Sequence, residues 1–163
     1  MGSPFLAFFL FSPILVMKKF FSWIDKTDYR ITDWMHRHGR FFLRMSLGVV
    51  FIWFGLLKVY GLSPANQLIA RTVYWFPPDV FIPILGWWEF AIGVGLLIKP
   101  LIRVAIFLLF LQMPGTMLPL FLLPDVCFTQ IPFGLTMEGQ YIIKNLVLIS
   151  AAIVIGGSVR YTK

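Results

Sequence analysis

The chain has 163 residues, of which 59% are hydrophobic and 13% charged, with a formal net charge of +7 and a positive mean hydropathy. An ordinary soluble domain carries about 25% charged residues, so a water-soluble fold, which could not hide this much apolar surface, is excluded. The length suits one domain with room for about four bilayer crossings of ~20 residues each, and the basic residues sit beside apolar runs rather than in a basic module, which argues for membrane topology and against nucleic acid as a partner.

The first apolar stretch, Pro4 to Val16, is thirteen residues long and contains Pro13, too short to span a bilayer. No basic segment precedes it and no small-residue cleavage pattern follows it before Lys18, which weakens a signal-peptide reading. It reads as a shallow interfacial stretch or as sequence upstream of a true start at Met17. From Lys18 to His38, Phe20, Ile24, Ile31 and Met35 recur at near-helical spacing among Lys, Arg and Asp. That pattern predicts an amphipathic helix lying in the membrane interface, with lipid as its partner. His36 and His38 are two residues apart and so point to different faces, which suits solvated or headgroup-contacting histidines better than metal ligands. Residues 1–40 form this N-terminal region and residues 41–163 the membrane domain.

Four apolar windows follow: Phe41 to Tyr60, Val80 to Ile98, Leu101 to Leu123 and Gln140 to Gly157. Each has bilayer length, and no alternating barrel pattern appears, so the expected class is all-α, an integral membrane four-helix bundle. Ser63-Pro64, Asn66 and Pro77-Pro78 mark the first loop, Lys99-Pro100 a tight turn, and Pro124, Asp125, Pro132 and Gly134 the third loop. Lys18, Lys19, Lys26, Arg30, Arg37 and Arg40 precede the first window and Arg44 lies at its start; Lys99 and Arg103 lie at the second turn; Arg160 and Lys163 follow the fourth window. The first loop holds only Arg71 and the third no basic residue. Because cytoplasmic flanks are enriched in Lys and Arg, both termini are expected inside and both loops outside a plasma membrane, the bacterial inner membrane.

Ionisable groups inside a bilayer cost about 2.5 to 3.5 kcal/mol near a helix centre, so they usually face the bundle interior and have partners. Lys58 falls near the outer end of the first window, Glu89 near the middle of the second, and Glu138 with Lys144 in the outer part of the fourth. Gln112 and Asn145 add amides at comparable depth, and Tyr141, Lys144, Asn145 and Leu148 share one helix face. These six polar groups are expected to converge in the outer leaflet. Gly48 and Gly55 on the first helix and Gly86 and Gly93 on the second form small-residue faces for close approach. Gln112-Met113-Pro114-Gly115-Thr116 is expected to interrupt the third helix, freeing carbonyls beside the cluster.

Two readings of the cluster stay open. One is a structural clasp of two buried ion pairs, Glu89 with Lys144 and Lys58 with Glu138. The other is an outward-facing pocket for a polar or amphipathic ligand, with Trp53, Trp87 and Trp88 near its walls. Other chemistries have little support. A lone cysteine, Cys127, excludes an internal disulfide and a CxxC pair. No histidine lies in any window, and there is no phosphate loop, nucleophile elbow or HExxH pattern. The chain carries no intrinsic cofactor on this reading, and any part in electron transfer requires a bound quinone or a partner subunit.

The segment Leu47-Gly48-Val49-Val50-Phe51-Ile52-Trp53-Phe54-Gly55-Leu56-Leu57-Lys58 resembles the first helix of DoxX-like membrane proteins. Leu85-Gly86-Trp87-Trp88-Glu89 with Gly93, and Glu138-Gly139-Gln140-Tyr141-Ile142-Ile143-Lys144-Asn145-Leu146, are similar to that family's second and fourth helices. The resemblance covers about Arg44 to Gly157 and implies a four-helix membrane unit. Relatives in the broader group include membrane subunits linked to thiosulfate:quinone oxidoreduction, to maturation of periplasmic redox enzymes and to oxidative-stress complexes. It therefore implies a quinone-associated or redox-partner subunit, possible partners being an oxidoreductase subunit or quinone. Lys58, Glu89, Glu138, Lys144 and Asn145 are the family-like polar positions, with no catalytic role attached. A small-solute transporter or binding protein, or a non-catalytic assembly factor, would use the same cluster.

Overall fold

The computed structural model describes the backbone of residues 4–158 and the side chains of residues 28–158. Two compact units divide the chain, Met1–Gly39 and Arg40–Lys163. Helix α1 is assigned from Pro4 to Val59. In the first unit Ile31 and Met35 are exposed, Arg37 pairs with Asp33 one turn earlier, and the His38 ring stacks on Trp34 with centroids 5.1 Å apart. Phe20 and Ile24, the other half of the expected apolar stripe, lie outside the described side chains, as does the question of Met1 or Met17.

Four segments in the described residues are long and apolar enough to cross a membrane: Asp28–Val59, Pro78–Leu97, Lys99–Leu122 and Met137–Ser158. Between the first two lies the short helix α2 (Asn66–Thr72). Helix α3 (Pro78–Leu97) opens with proline in its first turn, where the missing N–H costs nothing, and Asp79 beside the positive helix end. After extended Ile98, a single 3₁₀ turn (Lys99–Leu101) leads into α4 (Ile102–Met117).

The structure corrects three expectations of local form. Pro114 does not interrupt its helix: α4 runs past it to Met117, at the loss of one intrahelical donor. The break falls at Leu118, before Pro119. There the Gly115 carbonyl, deprived of a Pro119 N–H, accepts from Leu118 N at 3.3 Å instead. The third loop is not wholly irregular, while the fold stays all-α in class, its strand pair lying within that loop. Short helices α5 (Pro119–Leu122) and α6 (Pro124–Cys127) are followed by an antiparallel pair, β1 (Phe128–Gln130) and β2 (Gly134–Leu135), around a cis Ile131–Pro132 bond. Finally, the fourth apolar helix starts at Met137 and is divided at Lys144 into α7 (Met137–Ile143) and α8 (Asn145–Ser158). It starts early because Thr136 caps it, accepting from Gly139 N at 3.2 Å.

The second unit shares one core, built from Leu47 and Phe51 of α1, Ile92 and Leu96 of α3, Ile102, Ala105, Leu109 and Met113 of α4, and Ala151, Ala152 and Ile155 of α8. Helices α1 and α3 pack closely on the glycine faces the sequence marks. A Cβ on Gly55 would stand 2.5 Å from the Gly86 carbonyl oxygen, and one on Gly93 would stand 2.6 Å from the Gly48 carbonyl oxygen. The two antiparallel helices thus meet at two glycine pairs two turns apart, where any side chain would hold the backbones away from each other.

Candidate functional site

The glycine crossing brings an ion pair together. A Cβ on Gly86 would lie 3.0 Å from Lys58 Cβ, so the aliphatic stem of Lys58 rests on bare α3 backbone. Its ammonium reaches Glu89, three residues further along α3 on the same face. Lys58 Nζ donates to Glu89 Oε2 at 2.5 Å. From α4, Gln112 Nε2 donates to the other carboxylate oxygen, Oε1, at 2.7 Å. All three residues are buried, at 8%, 7% and 8% exposure for Lys58, Glu89 and Gln112. Three helices therefore meet at one carboxylate.

The triad is close to satisfied, which a charge pair in apolar surroundings requires. Each carboxylate oxygen has a charged or amide donor. The Lys58 ammonium, which carries three N–H donors, gives one of them to Glu89, and Gln112 Oε1 is buried and has no hydrogen-bond partner. Its orientation follows from chemistry: an ionised carboxylate only accepts, so the amide nitrogen must face Glu89 and the amide oxygen must face away. The site is thus electrically neutral and retains one unused acceptor.

The remaining expected site residues do not join it. Lys144 is exposed at the break between α7 and α8, its ammonium 5.0 Å from the centre of the Tyr141 ring, and Tyr141 is itself exposed. Glu138 is exposed in the first turn of α7, and Asn145 is half-buried at the start of α8. Trp88 is half-buried against the core, with its indole N–H donating to the Leu108 carbonyl at 3.4 Å. Trp53 and Trp87 are exposed; Trp53 lines an open apolar groove along α1 with Val49, Ile52, Leu56, Leu57 and Tyr60. The expected pairs Glu89–Lys144 and Lys58–Glu138 are replaced by Lys58–Glu89. Helical spacing establishes which residues share a face, but not which neighbouring helix that face meets.

Other polar features of the second unit were less visible in the sequence. Arg44 Nε and Asn66 Oδ1 are buried without partners, and Thr136 Oγ1 donates to the Val126 carbonyl at 2.6 Å while capping α7. The signal for Thr136 was its position just before an apolar run. Cys127, at the end of α6 in the third loop, is fully buried. Burial, and secondarily the Glu138 carboxylate, push its thiol pKa up. Among the described residues no group of three or more His, Cys, Asp or Glu side chains is placed to hold a metal ion.

No family model, curated protein or solved structure matches the chain in the three comparisons made.

Proposed function

We propose that this chain is a multi-pass protein of the bacterial plasma membrane, DoxX-like in its four-helix unit, that serves as a quinone-associated membrane subunit of a redox system. Both termini of the four-helix unit are cytoplasmic, as the basic flanks argue. Lipid surrounds the apolar helices, quinone is the ligand rather than a resident cofactor, and an oxidoreductase subunit is the protein partner. The observation that carries the reading is the buried Lys58–Glu89–Gln112 triad inside an apolar helical unit. Placing charge there costs enough that it is kept in membrane proteins mainly where it acts on a ligand, ion or partner.

Purification from native membranes in mild detergent, followed by extraction of bound lipids and quinones and mass spectrometry of associated proteins, tests this. Quinone is expected with the parent protein and depleted from a folded Glu89→Gln variant, and a redox subunit is expected among the partners. Absence of both would overturn the reading. A second reading has its own observation: Lys58 and Glu89 are paired directly, beside the close glycine contact of α1 with α3. On that account the triad is a clasp that holds α1, α3 and α4 in register, and the variants lose stability without losing a ligand.

A further inference from the structure

We infer that the triad recognises an uncharged ligand through a hydroxyl donor, and so, resting on the quinone reading above, binds the reduced quinol in preference to the quinone. Charge is the first constraint. Lys58 and Glu89 neutralise one another, so an anionic or cationic head group would bring an unbalanced charge into apolar surroundings. Hydrogen bonding is the second. The atom without a partner is an acceptor, Gln112 Oε1, on a side chain more than nine-tenths buried. Glu89 holds the amide so that a flip, which would offer a donor instead, would set oxygen against oxygen.

What satisfies that atom must therefore donate. A quinone presents carbonyl oxygens, which only accept, and would leave Gln112 Oε1 unpaired. A quinol presents hydroxyls that donate to it. A buried acceptor left without a donor is penalised more than a completed hydrogen bond is rewarded, so the preference arises from the mismatch with the oxidised form. A water molecule is the other source of the same O–H chemistry, and it would leave the two redox forms undistinguished.

The test uses the full chain in lipid nanodiscs, with empty nanodiscs as the partition baseline. Four uncharged probes with the same short alkyl tail are titrated calorimetrically: a benzoquinone, its quinol, the quinol dimethyl ether and a simple phenol. The quinol and the phenol are expected to bind about tenfold more tightly than the quinone and the ether, neither of which has a donor. Gln112→Met should narrow that gap to within about twofold. If this variant does not fold, the ether comparison in the parent protein still decides. Equal binding of all four probes would overturn the hydroxyl preference, the water case included, and leave the quinone reading standing. Binding of the phenol alone would uphold the donor preference and overturn the quinone reading. Binding of none would overturn both.

Discussion

Lys58 Nζ lies 2.5 Å from Glu89 Oε2, across the helix crossing at which Gly55 meets Gly86. Both groups are almost free of solvent, so removing one leaves the other charged, buried and unpaired, at a cost of about 3 to 5 kcal/mol. Glu89→Gln and Lys58→Met should each lower stability in detergent by that order, and the double replacement should recover part of the loss through a coupling term. Unfolding midpoints of the four proteins measure it. Lys144→Met, at an exposed site, should change stability by no more than about 0.5 kcal/mol and add simply to Glu89→Gln. Coupling of Glu89 to Lys144 and not to Lys58 would contradict the pairing.

The glycine pairs make a sharper test of the α1–α3 contact. On Gly86 a Cβ would meet the Gly55 carbonyl oxygen at 2.7 Å, and on Gly93 it would meet Ile52 N at 2.6 Å. These are backbone atoms, which cannot swing aside as a side-chain end can. Gly86→Ala and Gly93→Ala should each destabilise by about 1 to 3 kcal/mol and weaken the nearby Lys58–Glu89 coupling. Gly115→Ala, with nothing within 4 Å of the new carbon, should be neutral or stabilise by up to about 1 kcal/mol, since helical glycine carries an entropic cost. Similar losses at all three positions would refute the close crossing.

Thr136 joins the third loop to the fourth apolar helix through a single oxygen, which accepts from Gly139 N and donates to the Val126 carbonyl. Thr136→Val keeps the shape and removes both bonds. The expected loss is about 1 to 2 kcal/mol, and amide hydrogen exchange should rise first in the opening turn of α7. An unchanged exchange pattern there would show that the cap contributes little.

Cys127 is a poor reporter of orientation. Full burial and a raised thiol pKa leave little accessible thiolate at neutral pH, so an impermeant maleimide should label it slowly from either side and quickly only after denaturation. Raising the pH to about 8.5, an ordinary thiol pKa, should do little for the folded protein. A better reporter is the hairpin tip, where Phe133 is 93% exposed. In a Cys127→Ala background, Phe133→Cys should react with the same reagent in intact cells if the third loop is outside. Reaction only after the cytoplasmic face is opened would reverse the topology.

By itself, the sequence determined the number and approximate bounds of the apolar helices, because bilayer-length runs and breaker residues are local signals. It also marked Gly48, Gly55, Gly86 and Gly93 as close-approach faces, and Lys58, Glu89 and Gln112 as polar residues in apolar segments. Each of those properties belongs to a residue and its own helix. Tertiary structure decided the partners. Glu89 pairs with Lys58 because α1 lies against α3 with glycines between them, while Lys144 sits at a helix break on an exposed surface. That choice depends on the rotation and axial offset of one helix against another, set by the packing of residues far apart in the chain. The unused oxygen of Gln112 has the same origin: an amide carries both a donor and an acceptor, and only its neighbour across the helix contact determined which end was left over.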